Sequence, residues 1–218
     1  MITSDRDLLV YEPALFRDVL WTGQKLLESA SGGTIDSLGT TLTVAGADFA
    51  ALGVTAGHVA VVAGTPLEVL ERTGPTQLAV SLLRSRAGAP PIPAAPGTSL
   101  SVRITTFAPQ IALIHDQLLR ALGIRTDAPD DDGANPLTEA SITNPGVLRR
   151  VEALGALHLI FAAAAPLVSD DSPLWVKSQM YRERYREERA RVAVGIDLDG
   201  DGVADALRRL NTLILTRA

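Results

Sequence analysis

Four aspartates near the C-terminus have the spacing of calcium ligands. They are Asp197, Asp199, Asp201 and Asp205, and Gly202 stands between the third and the fourth. In a calcium loop this spacing places carboxylates at positions 1, 3, 5 and 9, and it places at position 6 the glycine that allows the sharp turn. The sequence therefore predicts a calcium site at these four aspartates, which would brace a loop rather than catalyse a reaction.

The same segment departs from the calcium pattern at position 12. Arg208 stands where a bidentate glutamate completes the loop, so the site would have fewer oxygen ligands and a cation beside it. The alternative is a tight turn in which the aspartates accept hydrogen bonds from neighbouring backbone N–H groups. In both cases we expect a metal or Arg208 to offset the repulsion among the carboxylates. We also expect Gly202 to adopt a conformation that β-branched residues resist.

The residue types that most often catalyse reactions do not form a recognisable set. The histidines are His58, His115 and His158, and no two of them have the i, i+4 spacing of a helical metal site. The sequence contains no cysteine, no G-x-S-x-G nucleophile turn and no phosphate-binding loop with its lysine. We therefore expect each histidine to have a structural role, and we predict no catalytic residues and no enzymatic activity.

A segment rich in arginine and tyrosine precedes the aspartates. On a helix, three of its arginines share one face and two tyrosines lie on the adjoining one. Interleaved glutamates offer i, i+4 partners, so one interpretation is a self-paired, solvated surface. The other is a protein interface, since arginine and tyrosine are enriched there; DNA contact is less favoured because three glutamates would face the phosphates. The predicted interface residues are Tyr181, Arg182, Tyr185, Arg186 and Arg189.

The composition indicates an ordinary folded protein. The chain has 218 residues, 46% of them hydrophobic, and a formal charge of −5, which argues against a surface that binds nucleic acid all over. The N-terminal residues are too polar and acidic for a secretory signal. The most apolar window, residues 153–168, is shorter than the roughly 20 residues that span a bilayer, and it contains a histidine and a proline. We therefore expect no membrane partner.

The first half of the chain is expected to pass from helix to strand. Helical spacing of apolar residues predicts a helix from Pro13 to about Ser29. Short β-rich runs then predict five strands of a small antiparallel barrel or sandwich. The Pro-rich stretch from Ala87 to Gly97 predicts an exposed loop or arm. The five strand segments are residues 40–44, 59–62, 67–70, 76–80 and 100–104.

Helices are expected again in the second half. An apolar stripe predicts a helix that ends at Gly123, and an acidic loop follows at residues 127–139. Asn144 is the expected cap of the next helix, which becomes apolar all round and is therefore expected at the centre of its domain. The run Asp170-Asp171-Ser172-Pro173 is expected to cap a third helix, and residues 210–215 finish the chain as a strand or a helical turn.

These elements predict an α+β fold: a helical bundle domain with an inserted small antiparallel β-barrel or sandwich module. Residues 1–31 are the N-terminal helix, which belongs to the helical domain. Residues 32–107 are the inserted β module with its Pro-rich arm. Residues 108–218 complete the helical domain and carry the Asp-rich loop near the C-terminus.

Three features occur together within residues 140–218. A central helix follows Asn144-Pro145, the pattern K-x-x-x-Y-x-x-x-Y runs from Lys177 to Tyr185, and the run Ile196–Gly202 comes shortly after it. This order resembles the neck proteins of tailed bacteriophages, the head-to-tail connector or adaptor family. The resemblance implies a virion protein assembled in the bacterial cytoplasm. It implies a ring of identical subunits, usually twelve, that joins the portal to the tail and is lined by DNA, with no catalytic residues.

The residues themselves leave a second class of function open. In a calcium-stabilised, non-catalytic binding module, the β domain would hold a ligand and the aspartate loop would supply rigidity. Chelation of calcium should then lower the melting temperature of the protein by mass action. The melting temperature of a ring protein with an empty turn should not change on chelation.

Overall fold

The computed structural model describes residues 1–124, 137–165 and 172–211. The chain divides into two compact units. The barrel unit is Ser4–Pro109, and the helical unit joins Met1–Thr3 to Gln110–Ala218.

The barrel unit is a closed antiparallel barrel preceded by two short helices. Its elements are α1 (Asp5–Tyr11), α2 (Leu15–Asp18), β1 (Gln24–Ile35), β2 (Thr41–Val44), β3 (Val59–Val62), β4 (Thr65–Arg72), β5 (Gln77–Ser81) and β6 (Gly97–Thr106). The strands follow the order β1-β2-β5-β4-β3-β6 around the barrel. Strand β1 closes the barrel because it pairs with β2 on one side and with β6 on the other.

The barrel interior is filled by apolar side chains two residues apart on each strand from β2 to β6. Since successive side chains of a strand point to opposite faces, this spacing places both members of each pair inside. The five predicted strands are thereby confirmed: the strand at residues 59–62 has the predicted ends, and the ends of the other four are shifted. The interior pairs are Leu42 and Val44, Ala60 and Val62, Leu67 and Val69, Leu78 and Val80, and Val102 and Ile104.

The predicted fold class, a helical bundle with an inserted β module, is wrong. The segment predicted as a helix from Pro13 to Ser29 forms α2, a 3₁₀ turn at Leu20–Thr22 and the first half of β1. Strand β1 pairs with β6 through several register shifts. Such bulges interrupt the two-residue alternation of a strand, so the apolar residues fell at a helix-like spacing. The N-terminal segment therefore supplies the strand that closes the barrel instead of a helix of a bundle.

The Pro-rich stretch is attached to the barrel. Most of its side chains are exposed, as predicted. Its backbone is nevertheless bonded at two places: Ile92 forms a bridge with Leu82, and Ala94 N donates to Gly39 O at 2.8 Å. It is therefore an exposed loop, but not a free arm.

The described part of the helical unit contains three helices and a hairpin. The elements are α3 (Ala108–Ala121), α4 (Leu148–Ala164), α5 (Pro173–Arg191), β7 (Ala193–Ile196) and β8 (Ala206–Arg209), with 3₁₀ turns at Glu139–Ser141 and Pro145–Val147. Helix α4 is buried along its length, as expected of a central helix. Gly155 lets α3 and α5 pack closely against α4, because a Cβ at this position would lie 2.9 Å from Ile114 Cγ2 and 3.0 Å from Tyr185 Cε2.

The helix ends agree with the sequence in two of three places. Helix α3 ends before Gly123, whose φ is +74°. Ser172 caps α5, since its Oγ accepts a hydrogen bond from Leu174 N at 3.2 Å. Asn144 does not cap α4; its Oδ1 accepts from Gly195 N at 2.9 Å instead, and so connects the start of α4 to the hairpin.

Two predicted segments fall largely outside the described residues. They are the acidic loop at residues 127–139, of which 137–139 are described, and the final segment at 210–215, of which 210 and 211 are described. Within the described ranges, no helix has both the length and the apolar character that crossing a bilayer requires.

Candidate functional site: the aspartate loop and helix α5

The aspartate loop, residues 197–205, joins β7 to β8 in an antiparallel hairpin. The segment that precedes α4 covers the other edge of β7: Asp197 N donates to Ser141 O at 2.8 Å, and Thr143 N donates to Gly195 O at 3.0 Å. The hairpin contributes to the core of the helical unit through Val194 and Ile196 of β7 and through Val192 and Leu210, which flank the two strands. The fold therefore holds the loop at its base.

Backbone N–H groups inside the loop bind its carboxylates. Asp197 accepts at both oxygens, from Gly200 N at 2.7 Å and from Gly202 N at 2.8 Å. Asp205 accepts from Leu198 N at 2.7 Å. Both glycines have a φ of +85°, in the left-handed region that costs other residues energy. The predicted conformation of Gly202 is confirmed, and these bonds are those expected of an aspartate-rich turn.

The carboxylates also converge on one another. Oxygens of Asp197, Asp199 and Asp205 all lie within 4.8 Å of one another, which brings together three of the four predicted metal ligands. The fourth, Asp201, is not in this group, and its Oδ1 accepts from Val203 N at 2.7 Å. The N–H groups of the two glycines lower the pKa of Asp197 and so favour the ionised form that a cation requires.

Arg208 is directed at a helix end instead of completing the loop. Its Nη1 donates to Leu122 O just beyond α3, where the carbonyls of a helix lack internal partners. Backbone N–H groups bind the loop aspartates, so the expectation that Arg208 would order the loop is corrected. Three carboxylates are fewer than the six to eight oxygens that calcium takes. The geometry fits a weak cation site completed by carbonyls or water.

The first tyrosine of the arginine-rich helix belongs to the core. Tyr181 is 2% exposed and stacks on Phe161 of α4, with ring centroids 5.7 Å apart and planes 5° apart. Lys177 Nζ lies 5.2 Å from the centroid of the Phe161 ring, and the Arg184 guanidinium lies 5.7 Å from that of Tyr181. This part of the pattern therefore packs α5 against α4, and little of Tyr181 remains for contact with another protein.

The other predicted interface residues differ in exposure. Arg189 Nε donates to Leu210 O at 3.2 Å. Tyr185 is half-buried; burial raises the pKa of its hydroxyl, and the neighbouring Arg189 opposes this effect. Arg182 and Arg186 are exposed. Of the five predicted interface residues, these two arginines are the exposed ones, and the role of α5 as an interface stays a prediction.

Two of the histidines make ordinary structural contacts. His58 Nδ1 lies 3.0 Å from Thr55 O in the turn before β3. His158 Nδ1 lies 3.2 Å from Ser178 O and so joins α4 to α5. These contacts confirm the structural role expected of both residues.

The third histidine lies in a group that the sequence did not indicate. His115 Nδ1 is 3.3 Å from Glu152 Oε1, and His115 Nε2 is 3.2 Å from Glu139 Oε2. Glu152 is fully buried, and its Oε2 accepts from Ile2 N at 3.3 Å and from Thr3 N at 3.2 Å. Burial raises the pKa of Glu152, and His115 opposes this effect. The group anchors the N-terminal residues to α4. The signal available in the sequence was a glutamate between the apolar residues Val151 and Ala153 of this helix.

No protein-family model matches the sequence, and neither a curated protein nor a solved structure shows significant similarity to it.

Proposed function

We propose that this protein is a structural, non-catalytic assembly protein: the subunit of a homo-oligomeric ring that joins the capsid portal to the tail of a phage-like particle. The observation that carries the proposal is the exposed side of α5. Trp175 and Val176 at its start are 48% and 63% exposed, and Arg182 and Arg186 follow on the surface. Exposed tryptophan and arginine on a rigid helix are the residue types that dominate protein interfaces.

The arrangement of the C-terminal half supports the proposal. A buried central helix is followed by an arginine-rich helix and then by an aspartate-rich hairpin, in the order that resembles phage neck proteins. In such a ring the partners are copies of the same chain, the portal and the tail or neck proteins, with DNA passing through the channel. Twelve subunits is the number that the resemblance implies.

Light scattering coupled to size-exclusion chromatography tests the proposal on purified protein over a range of concentrations and on material taken from particles. We expect one high-mass species whose mass is a whole multiple of the subunit mass. Trp175→Ala should shift this species towards smaller assemblies. Leu38→Ala, which truncates another strongly exposed apolar side chain, in the barrel unit, serves as the control and should not. A strict monomer that joins no particle would contradict the proposal.

A calcium-stabilised, non-catalytic binding module is the second candidate, and the convergence of Asp197, Asp199 and Asp205 favours it. A ligand that binds only the folded state raises the free energy of unfolding by mass action. Under this alternative, millimolar calcium should raise the melting temperature, and a chelator should lower it. An unchanged melting temperature, with assembly intact, would exclude the module and leave the ring protein.

A further inference from the structure

The tip of the β7–β8 hairpin presents an unusual surface. Residues 198–205 are all exposed. They include the apolar Leu198 and Val203 beside the carboxylates of Asp199 and Asp201, and the segment 197–205 contains four aspartates and no basic residue. Exposed apolar side chains in a turn have no role in the core of their own chain. The tip is thus an acidic surface with apolar side chains.

Helix α5 presents a surface of the opposite character. With 3.6 residues per turn, Trp175, Arg182 and Arg186 fall on one stripe of the helix, and the exposed Val176 lies beside its start. The helix carries six basic and three acidic side chains. The carboxylate of Glu183 lies 3.8 Å from Arg186 Nη1, at the outer limit of an ion pair. The stripe is thus a basic surface with an apolar end.

We infer that the hairpin tip of one subunit docks on the α5 stripe of the next copy of this chain, an inference that rests on the proposed ring function. The two surfaces match in charge, and each offers two large apolar side chains that burial would remove from water. Asp199 and Asp201 would face Arg182 and Arg186, and Leu198 and Val203 would pack beside Trp175 and Val176.

A contact between two different surfaces of identical subunits is heterologous. Each copy then uses its hairpin on one neighbour and its helix on the other, and such contacts build rings when the rotation between subunits closes. DNA is a poorer occupant of the stripe. It would leave Trp175 and Val176 without an apolar partner.

Charge reversal tests the docking. The helix variant is Arg182→Glu with Arg186→Glu, and the loop variant is Asp199→Arg with Asp201→Arg. Each should lose the high-mass species, because like charges would meet across the contact. The control, Arg72→Glu with Arg86→Glu, changes the net charge by the same amount as the helix variant at exposed barrel positions and should assemble like the wild type.

Mixing distinguishes a broken contact from a damaged fold. In an equimolar mixture, the acidic tip of the helix variant meets the basic stripe of the loop variant. The basic tip of the loop variant likewise meets the acidic stripe of the helix variant. The mixture should therefore recover at least half of the wild-type assembly, and misfolded chains would not.

The loop reversal removes two turn acceptors, so a milder variant accompanies it. Asp199→Asn with Asp201→Asn keeps oxygens for Asp201 N and Val203 N, and it should weaken assembly and reduce its salt dependence. Full assembly of both reversal variants would overturn the docking and leave the ring function standing. The docking would also be overturned if the helix variant assembled normally but lost DNA binding. A wild-type protein that is monomeric in solution and in particles would overturn both.

Discussion

Arg84 Nε lies 2.6 Å from Glu68 Oε1, and the backbone N–H of Arg84 donates to the same oxygen at 2.9 Å. The second oxygen of Glu68 accepts a hydrogen bond from Arg6 Nε at 2.7 Å. Glu68 is 1% exposed, so one buried carboxylate on β4 joins the N-terminal helix α1 to the chain that follows β5. The barrel therefore contains a fully paired ionic group at the place where these two segments meet it.

Removing the shared carboxylate should destabilise the protein strongly. Glu68→Ala leaves the partly buried Arg84 without its counter-charge and leaves Arg6 only its 3.5 Å ion pair with Asp7. Breaking a buried pair in this way typically costs about 3–5 kcal/mol of unfolding free energy. Glu71→Ala on the same strand is the matched control, because Glu71 is exposed, and it should change stability by less than about 0.5 kcal/mol. Urea unfolding of the two variants measures the difference. Equal effects would show that the ionic group contributes nothing specific.

Asp5 should make stability depend on pH in an unusual direction. Burial raises its pKa from 3.8 to about 6, although Phe107 N donates to its carboxylate at 2.8 Å. The folded state thus binds the proton more tightly than the unfolded state. The stabilisation by the protonated group is complete below pH 4 and is lost as the pH rises through about 6. At about 1.4 kcal/mol per pKa unit, the change amounts to about 3 kcal/mol.

Comparison with Asp5→Asn isolates this effect. The stability of the wild type relative to the variant should fall between pH 4 and pH 6 and then stay constant. Asp36→Asn provides a control of opposite sign, because backbone N–H groups led by that of Thr41 lower the pKa of Asp36. There the advantage of the wild type should grow as the pH rises through the acid range. A flat difference for Asp5→Asn would contradict the raised pKa.

Gly155→Ala should destabilise the helical unit although alanine favours helices. The added methyl group would press on Ile114 and Tyr185 at about 3 Å, and overpacking of this kind costs about 1–3 kcal/mol. The gain in helix propensity is about 1 kcal/mol and offsets only part of this cost. Gly146→Ala is the control, because a Cβ there meets nothing within 4 Å. A melting temperature unchanged by Gly155→Ala would mean that α3 and α5 have room to move apart.

In the aspartate loop, replacing a carboxylate should lower the melting temperature less than replacing the glycine that forms the turn. Gly202→Val places a β-branched residue at a φ of +85°, whereas Asp201→Asn retains the oxygen that accepts from Val203 N. The glycine variant should therefore have the lower melting temperature, with and without calcium. If calcium binds, it should raise the melting temperature of the wild type. Negligible effects of both substitutions would show that the loop conformation contributes nothing to stability.

The sequence predicts elements well where the apolar pattern and the tertiary structure agree. Strands β2 to β6 each have two apolar interior residues two positions apart, and α4 becomes apolar all round towards its end, so each could be located from its own residues. Strand β1 could not. Its pairing with β6 contains register shifts, and only long-range hydrogen bonds decide that Gln24–Ile35 is a strand.

The candidate site was predictable only in part, for the same reason. The conformation of Gly202 and the convergence of three aspartates follow from local spacing. The burial of Tyr181 against Phe161 and the bond from Arg208 to Leu122 depend on how α3, α4 and the hairpin pack. Local spacing contains no information about those contacts.

The most direct test of the account is an image of the purified wild-type protein by negative-stain electron microscopy. We expect closed rings of one size, with a subunit number that agrees with the mass from light scattering. We also expect that the Arg182→Glu, Arg186→Glu variant shows no rings and that its mixture with the Asp199→Arg, Asp201→Arg variant shows them again. Fields of single small particles at every concentration, for the wild type as well as for protein taken from particles, would contradict it.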